Sequence, residues 1–236
     1  DDLKELVTFC AAARNEEDRK LLEEHALKLE KNGAKTVITD IDIIDISSAQ
    51  IREKIMFGEQ YEEFLPHGVA EIIRQKNLYS FEQGVEFCKK SIRPRLNDDR
   101  YNHSLCVAES AGELAKKYGS NYKKAYIAGL LHDITKQTDE QEQLQIIEKF
   151  GILCEDTQKD SKALWHAVTG YAYVKYILGF TDEDFLNSIR YHTTSRKGAS
   201  LLEDVVYIAD FISEDRDYPD VDVMRRYADS SLAEAM

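Results

Sequence analysis

The sequence predicts a mainly α-helical protein, in which a helical bundle follows a short α/β segment of Rossmann type. The chain has 236 residues, of which 43% are hydrophobic, so it can bury a sizeable core. From Phe81 onward, amphipathic windows of helical length are separated by Gly, Asn, Asp or Pro. The first eighty residues instead alternate strand-like and helix-like patterns. We therefore expect two regions, residues 1–80 and residues 81–236.

The first region contains two predicted strands and three predicted helices. Short apolar or β-branched runs bounded by charge indicate the strands, and runs rich in Glu, Lys and Leu that end at Gly or Asn indicate the helices. Ser47, followed three residues later by Gln50, has the pattern of a helix-capping box. The expected elements are a strand over Leu6–Ala13, a helix over Asn15–Lys31, a strand over Val37–Ile46, and helices over Ser47–Phe57 and Pro66–Asn77. This β-α-β-α-α order fits part of a parallel-sheet nucleotide-binding fold.

The second region is predicted to be entirely helical. Its amphipathic windows are of helical length and are separated by Gly, Asn, Asp or Pro. The expected helices are Phe81–Arg93, Asp98–Tyr118, Tyr122–Ile134, Asp139–Phe150, Ser161–Leu178, Asp182–His192, Leu201–Ser213 and Val221–Ala233.

Composition and charge exclude several classes of function. Lys and Arg number 31 against 44 Asp and Glu, which gives a formal charge of −13 and makes nucleic acid an unfavourable partner. No apolar run approaches the roughly 20 residues that cross a bilayer, and no signal peptide begins the sequence. The four cysteines form no C-x-x-C pair, which argues against a thiolate zinc site. We expect a cytoplasmic protein that has no membrane or nucleic-acid partner.

Four of the six histidines lie in the second region, each on or at the end of a predicted helix. His132 and Asp133 lie in an apolar context, where burial is costly unless both groups find a partner. A metal ion would satisfy both, and imidazole with carboxylate suits Fe, Mn, Co, Ni or Zn. Taken singly, His166 or His192 fits a hydrogen-bonded core histidine better than a metal ligand, whereas for the pair His132-Asp133 the two interpretations are evenly matched. The set of His103, His132, Asp133, His166, His192 and Asp210 together favours a catalytic metal site, whereas His25 and His67 stand outside it.

These residues lie in strings that resemble the YqeK family of HD-superfamily hydrolases. The strings include residues 128–136 (AGLLHDITK), residues 190–194 (RYHTT) and residues 207–219 (YIADFISEDRDYP). The resemblance extends from about Phe81 to the end of the sequence. It implies an all-helical, metal-dependent enzyme that cleaves diadenosine tetraphosphate symmetrically into two ADP, with iron as the usual metal.

Carried over by position, the resemblance assigns a role to each residue of the set. It makes His103, His132, Asp133 and Asp210 the metal ligands, and a second metal, if present, would be held by Asp133, His166 and His192. The expected catalytic residues are Asp133, His166, His192 and Arg216. Substrate contacts are expected from His103, Asp133, Lys136, His166, His192, Thr193, Asp210, Arg216 and Tyr218. Where the family usually has Gly after His-Thr-Thr, this sequence has Ser195, for which a positive φ is harder to adopt.

The first eighty residues resemble the C-terminal part of bacterial nicotinate-nucleotide adenylyltransferase, a family of NAD synthesis. The resemblance rests on residues 46–52 (ISSAQIR), Leu65-Pro66 and residues 77–79 (NLY). It implies that Ser47, Ser48 and Arg52 hold phosphate at a helix N-terminus. An alternative is that Ser47 only caps a helix. The early paired histidines of adenylyl transfer are absent from these residues, so we expect no NAD-synthesis activity from them.

Two other functions remain open from the sequence. The helical region could be a nucleotide-binding regulator without turnover, or an HD phosphohydrolase that acts on nucleoside mono- or triphosphates. In the hydrolase interpretation, Arg216 is the first candidate to bind the leaving phosphate, with Lys136 and Arg196 as weaker ones. A partial parallel sheet with free edges would also favour a homodimer.

Overall fold

The computed structural model describes residues 6–13, 16–39, 46–152 and 161–236. By its internal contacts the chain divides into two compact units, residues 1–47 and 48–236. The division predicted near residue 80 follows family resemblance rather than packing, and it stays a prediction. In the part of the chain that the structure describes, no helix is both long and apolar enough to cross a membrane.

The first unit is a β-α-β arrangement made of β1 (Thr8–Ala12), α1 (Glu16–Lys31) and β2 (Lys35–Thr39). The two strands pair in parallel, with a register that runs from Thr8 opposite Lys35 to Ala12 opposite Thr39. Acidic residues in the first turn of α1 and basic residues in its last turn complement the helix dipole. The predicted order of elements is confirmed, while residues 40–45 of the second predicted strand lie outside the described residues.

The second unit is helical throughout its described residues, so the predicted mainly α class is confirmed. Its α-helices are α2 (Ser48–Phe57), α3 (Val69–Gln75), α4 (Phe81–Ile92), α5 (Asp98–Tyr118), α6 (Tyr122–Leu131), α7 (Glu140–Lys149), α8 (Trp165–Ala172), α9 (Glu183–Arg190), α10 (Leu201–Ile212), α11 (Val221–Ser230) and α12 (Leu232–Ala235). Short 3-10 helices span Glu62–Phe64 and Lys162–Leu164, and a π-helical turn spans Tyr173–Ile177.

Polar side chains cap most of the helices of this unit at the predicted places. The Asn97 side chain accepts a hydrogen bond from the backbone N–H of Arg100 at the start of α5, and Ser200 and Glu203 form a reciprocal capping box on α10. These caps fix where the helices begin, and α5 and α10 contribute residues to the site described below.

Several predicted boundaries were wrong, for local reasons. Helix α3 begins at Val69 rather than at Pro66, because residues 66–69 form a turn. The N–H of Val69 donates to the Pro66 carbonyl group, and Gly68, just before the helix, has a left-handed φ of 86°. The single helix predicted over 161–178 is a 3-10 helix, α8 and a π-helical turn in succession. The last predicted helix is broken at Ser231, where φ is −158° and the side chain caps α12 instead.

The core is centred on α5 and α6, which pack together most extensively. A Cβ atom on Gly129 of α6 would lie 2.7 Å from the Cα of Ala108 and 2.9 Å from the carbonyl oxygen of Val107 on α5. Only glycine permits this approach of the two backbones. Helix α6 ends two residues later at Leu131, not at Ile134 as predicted, and residues 132–137 continue as turns, of which residues 132–135 are buried.

Candidate metal centre

Six polar side chains from five parts of the helical unit meet inside it. His103 lies in the middle of α5 and Asp210 near the end of α10, while His166 is the second residue of α8. The other three lie in the turns just after α6 and α9: His132, Asp133 and His192. All four histidines and Asp133 are at most 4% exposed, and the Asp210 side chain is 18% exposed. The structure thus brings together every residue of the predicted constellation.

The donor atoms fall into two overlapping groups. One atom from each of His103, His132 and Asp210 lies within 4.8 Å of the others, and the same holds for His132, Asp133 and His192. The Nε2 atom of His132 is 3.4 Å from Asp133 Oδ2 and 3.9 Å from Asp210 Oδ1. Donor spacings of this size fit an ion about 2.0–2.2 Å from each ligand.

Backbone carbonyl groups fix the orientation of three histidine rings. The Nδ1 atoms of His132, His166 and His192 each lie 2.7 Å from the carbonyl oxygen three residues earlier in the chain. A carbonyl oxygen can only accept, so each Nδ1 carries the hydrogen and each neutral ring presents a lone pair at Nε2. This is the tautomer that a metal-binding imidazole requires.

The Nε2 atom of His132 is buried and has no hydrogen-bond partner among the described residues. A buried polar atom left unpaired costs about 1–3 kcal/mol. Its nearest polar neighbours are carboxylate oxygens, which cannot donate to it. A cation bound between the ring and the two carboxylates would satisfy all of these acceptors at once, so the residues fit a metal ion.

A second set of acceptors faces Asp133 from its other side. His166 Nε2 and His192 Nε2 are 3.2 Å apart, and they lie 3.2 Å and 3.6 Å from Asp133 Oδ1. Because both rings carry their hydrogen at Nδ1, the two lone pairs point towards each other. This arrangement also calls for a cation or a shared proton.

The electrostatics of the site favour charged carboxylates and neutral imidazole on the His166 side. Burial lowers the pKa of His166 to about 4. Burial alone would raise the pKa of Asp133, but the charge and hydrogen bonds of the neighbouring histidines hold that pKa well below its usual value. The pKa of Asp210 is also lowered against the effect of burial, by the His103 hydrogen bond first and then by the His132, His192 and Arg216 charges.

Comparison with known proteins places this centre in a family. Residues 100–215 match the HD domain. The protein named symmetrical bis(5'-nucleosyl)-tetraphosphatase from Bacillus subtilis (strain 168) is 40% identical over 147 residues, which cover 61% of this chain and 77% of that protein. The chain belongs to this family of HD-domain hydrolases. A protein of the same name from Staphylococcus aureus (strain NCTC 8325 / PS 47) is 35% identical over 61% of this chain and 74% of its own length.

Two further relatives of this HD-domain hydrolase extend the comparison. A crystal structure from Clostridium acetobutylicum, described as a predicted HD superfamily hydrolase involved in NAD metabolism, is 36% identical, with a TM-score of 0.61 over 64% of this chain and 80% of that chain. A probable nicotinate-nucleotide adenylyltransferase/Ap4A hydrolase from Mycoplasma genitalium is 24% identical over 79% of this chain and 52% of that protein. Residues 81–236 make up less than 79% of the chain, so the latter alignment reaches into the first eighty residues.

Three cationic side chains contact the cluster, which is the group of six side chains described above. Arg216 bonds to the side chain of Asp210, and its Nε donates to the Asp210 carbonyl oxygen at 2.7 Å. The Nζ atom of Lys136 lies 3.2 Å from His166 Nε2. Arg100, at the first turn of α5, donates to Asp133 Oδ2 at 2.9 Å and is 29% exposed. These groups offset locally the net negative charge of the chain.

Arg100 was missed by the sequence analysis, as was Asp215, whose Oδ2 atom lies 2.7 Å from His103 Nδ1. In the sequence, Arg100 looks like an ordinary charge in a first helical turn beside Asp98 and Asp99. Its position three residues before His103, on the same face of α5, was the one available signal. Asp215 gave none, since 112 residues separate it from its partner.

The other residues predicted to bind nucleotide lie in the segments that follow α9 and α10. Thr193 follows His192 in the turn after α9, and Tyr218 lies two residues beyond Arg216, with its hydroxyl group buried and without a hydrogen-bond partner among the described residues. Arg196 makes a two-pronged ion pair with the buried Glu203 instead. Ser195 does adopt the left-handed region, with a φ of 51°. Their expected roles in binding nucleotide stay predictions.

A cavity of about 450 Å³ lies elsewhere in the helical unit. It is lined by α2, α4 and the loop after the π-helical turn, including Arg52, Met56 and Phe180, and it shares no residue with the cluster. The chemistry of the six buried side chains, rather than the size of a cavity, therefore identifies the functional site.

Proposed function

We propose that this chain is a metal-dependent hydrolase that cleaves diadenosine tetraphosphate symmetrically into two ADP. The observation that carries the proposal is the unpartnered Nε2 atom of His132, buried among the acceptor atoms of His103, Asp133 and Asp210. Membership of the family supports it, because relatives that carry the name symmetrical bis(5'-nucleosyl)-tetraphosphatase are 35–40% identical to 60–61% of this chain.

The proposed ligands of the ion are His103, His132, Asp133 and Asp210, and iron is the expected metal, with Mn, Co, Ni and Zn also compatible with these donors. Asp133, His166 and His192 would hold a second ion, which the facing lone pairs of the two rings support. A bound transition metal would supply Lewis acidity towards the phosphate group and the attacking water.

Side chains of the protein would bind the substrate and stabilise the leaving phosphate. In the proposed reaction, water adds to one of the two inner phosphorus atoms and the central P–O–P bond breaks. One ADP takes the bridging oxygen and the other takes the oxygen of water. Arg216, Arg100 and Lys136 contact side chains of the cluster, and we propose that they bind the polyphosphate oxygens. The guanidinium groups would offer paired donors to the leaving phosphate.

Product analysis tests the reaction. Metal-loaded protein incubated with diadenosine tetraphosphate should yield ADP alone. AMP with ATP would indicate asymmetric cleavage, and phosphate released from nucleoside mono- or triphosphates would indicate another HD phosphohydrolase. If none of these substrates were turned over, the result would indicate a nucleotide-binding regulator instead of an enzyme. Asp133→Ala should lose both metal and turnover, whereas the matched change at the exposed Asp217 should lose neither.

The first eighty residues are proposed to derive from a nicotinate-nucleotide adenylyltransferase. Two observations support this: the β-α-β order of the first unit, and the alignment with the Mycoplasma adenylyltransferase/Ap4A hydrolase, which reaches into these residues. A longer parent protein could then carry both activities. We expect the protein to be cytoplasmic. The sheet has two strands in the described residues, and a second copy of the chain that pairs with such a sheet would form a homodimer.

A further inference from the structure

Of the four histidines in the cluster, His103 differs in the group that its Nδ1 atom contacts. The other three rings lie at or beyond helix ends, where the carbonyl group three residues earlier is available to Nδ1. His103 lies inside the 21-residue helix α5, where backbone N–H groups already occupy the carbonyl groups. Its Nδ1 atom instead meets Oδ2 of Asp215 at 2.7 Å.

We propose that Asp215 and Arg225 are positioning residues of the metal centre, and that they act through His103. Asp215 accepts the Nδ1 hydrogen of His103 and so turns Nε2 of that ring, which lies 2.9 Å from Asp210 Oδ1, towards the metal position. With a metal bound, Nε2 would give up its hydrogen and present a lone pair, while Asp215 keeps the hydrogen on Nδ1. A carboxylate behind a metal-bound imidazole fixes the ring and increases its strength as a ligand. This inference rests on the metal site of the proposed function.

Asp215 lies in a non-helical turn after α10, so its own position needs support. Arg225 of α11 provides it, because its guanidinium group donates to four carbonyl oxygens around that turn. The distances are 3.1 Å from Nε to Ile212, and 2.9 Å, 3.5 Å and 3.1 Å from Nη2 to Ser213, Glu214 and Arg216. The turn held in this way carries both Asp215 and Arg216, and both of these residues contact the cluster.

Each residue has a matched control in the same segment. Asp217 is an exposed carboxylate two residues from Asp215, and Arg226 is an exposed arginine next to Arg225 on α11. The experiment measures Zn²⁺ affinity by chelator competition on the full chain, together with the thermal midpoint of unfolding. Asp215→Ala should weaken binding by about 10–100-fold. Asp215→Asn, which keeps an acceptor but loses the charge, should recover part of that loss, and Asp217→Ala should match the wild type.

The action of Arg225 through Asp215 is tested by combining the substitutions. Arg225→Met should weaken Zn²⁺ binding, and Arg226→Met should not. In the Asp215→Ala background, Arg225→Met should add little further loss of affinity, since the two residues act on one ring. In the Zn²⁺-loaded wild type, nitrogen NMR should show the His103 hydrogen on Nδ1.

Two results would overturn the inference: equal Zn²⁺ affinity in the Asp215→Ala and Asp217→Ala variants, or a hydrogen on Nε2 of His103 in the loaded protein. If the losses of affinity in the Asp215→Ala, Arg225→Met double variant were fully additive, Arg225 would not act through Asp215. These readouts do not involve turnover. A wild type that binds Zn²⁺ as described but releases no ADP would therefore contradict the proposed reaction and leave the positioning role standing.

Discussion

Replacing Gly129 by alanine should damage both stability and the metal centre. The added Cβ atom would lie 2.7 Å from the Cα and 2.8 Å from the N atom of Ala108, and both of these are backbone atoms. Ordinary contacts are about 3.4 Å or longer, so α5 and α6 must separate by about 0.7 Å. Overpacking of a core costs about 1–3 kcal/mol, while alanine regains up to about 1 kcal/mol of helix propensity. Because both contacts are with backbone atoms, we expect the upper end of the overpacking cost and a net loss of about 2 kcal/mol.

The same displacement reaches the site because α5 carries one of the proposed metal ligands and α6 leads directly into another. His103 lies on α5, and His132, whose ring is held by the Gly129 carbonyl group, follows α6. Chemical denaturation should show the loss of stability, and about 2 kcal/mol corresponds to a thermal midpoint lowered by about 4–8 °C. Metal affinity, measured on the protein that remains folded, should fall as well.

Gly170 of α8 provides the matched control. A Cβ atom there would meet its nearest neighbour, Thr135 Oγ1, at an ordinary 3.5 Å. Gly170→Ala should therefore be neutral or slightly stabilising, since alanine is the better helix former. Wild-type stability and metal affinity in Gly129→Ala, or a larger loss in Gly170→Ala, would refute the close-packing argument.

Three other changes test separate features of the helical unit. Ser195→Gly should stabilise the protein by about 0.5–1 kcal/mol in denaturant unfolding, because glycine removes the cost of a positive φ; a destabilised variant would contradict this. Burial raises the pKa of Glu53, so the folded state holds that proton more firmly than the unfolded state, and stability falls as pH rises from the usual carboxyl pKa through the raised one. Glu53→Gln should flatten that slope, and an unchanged pH profile would count against it. Arg100→Met should raise the KM for diadenosine tetraphosphate by about 10–100-fold, the worth of a hydrogen bond to a charged group, with Arg93→Met as the exposed control. Equal KM values in the two variants would exclude Arg100 from substrate binding.

The meeting of the proposed ligands in the core could be predicted from the sequence because buried polar groups stand out within apolar runs. His132, Asp133 and Asp210 each lie within apolar runs, where an unpaired charge is too costly to keep without a partner. The end of α6 at Leu131 left no such trace. The turns that follow it are buried as well, so the apolar pattern continues through Ile134 without a change of period.

Features that depend on distant partners could not be predicted. Arg100 and Asp215 are ordinary charges until the fold places them against Asp133 and His103. The start of α3 at Val69 depended on a turn made by Gly68, which competed with the helix-starting preference of Pro66. The pattern of apolar and polar residues predicts which side chains are buried, but it does not predict which charged side chain contacts a residue distant in the sequence.

Anomalous X-ray diffraction from crystals of the metal-loaded protein tests the central claim most directly. The expected result is an anomalous peak about 2.0–2.2 Å from the Nε2 atoms of His103 and His132 and from carboxylate oxygens of Asp133 and Asp210. A fully loaded crystal whose ion lies away from these four side chains, with the Nε2 atom of His132 still unpartnered, would contradict it.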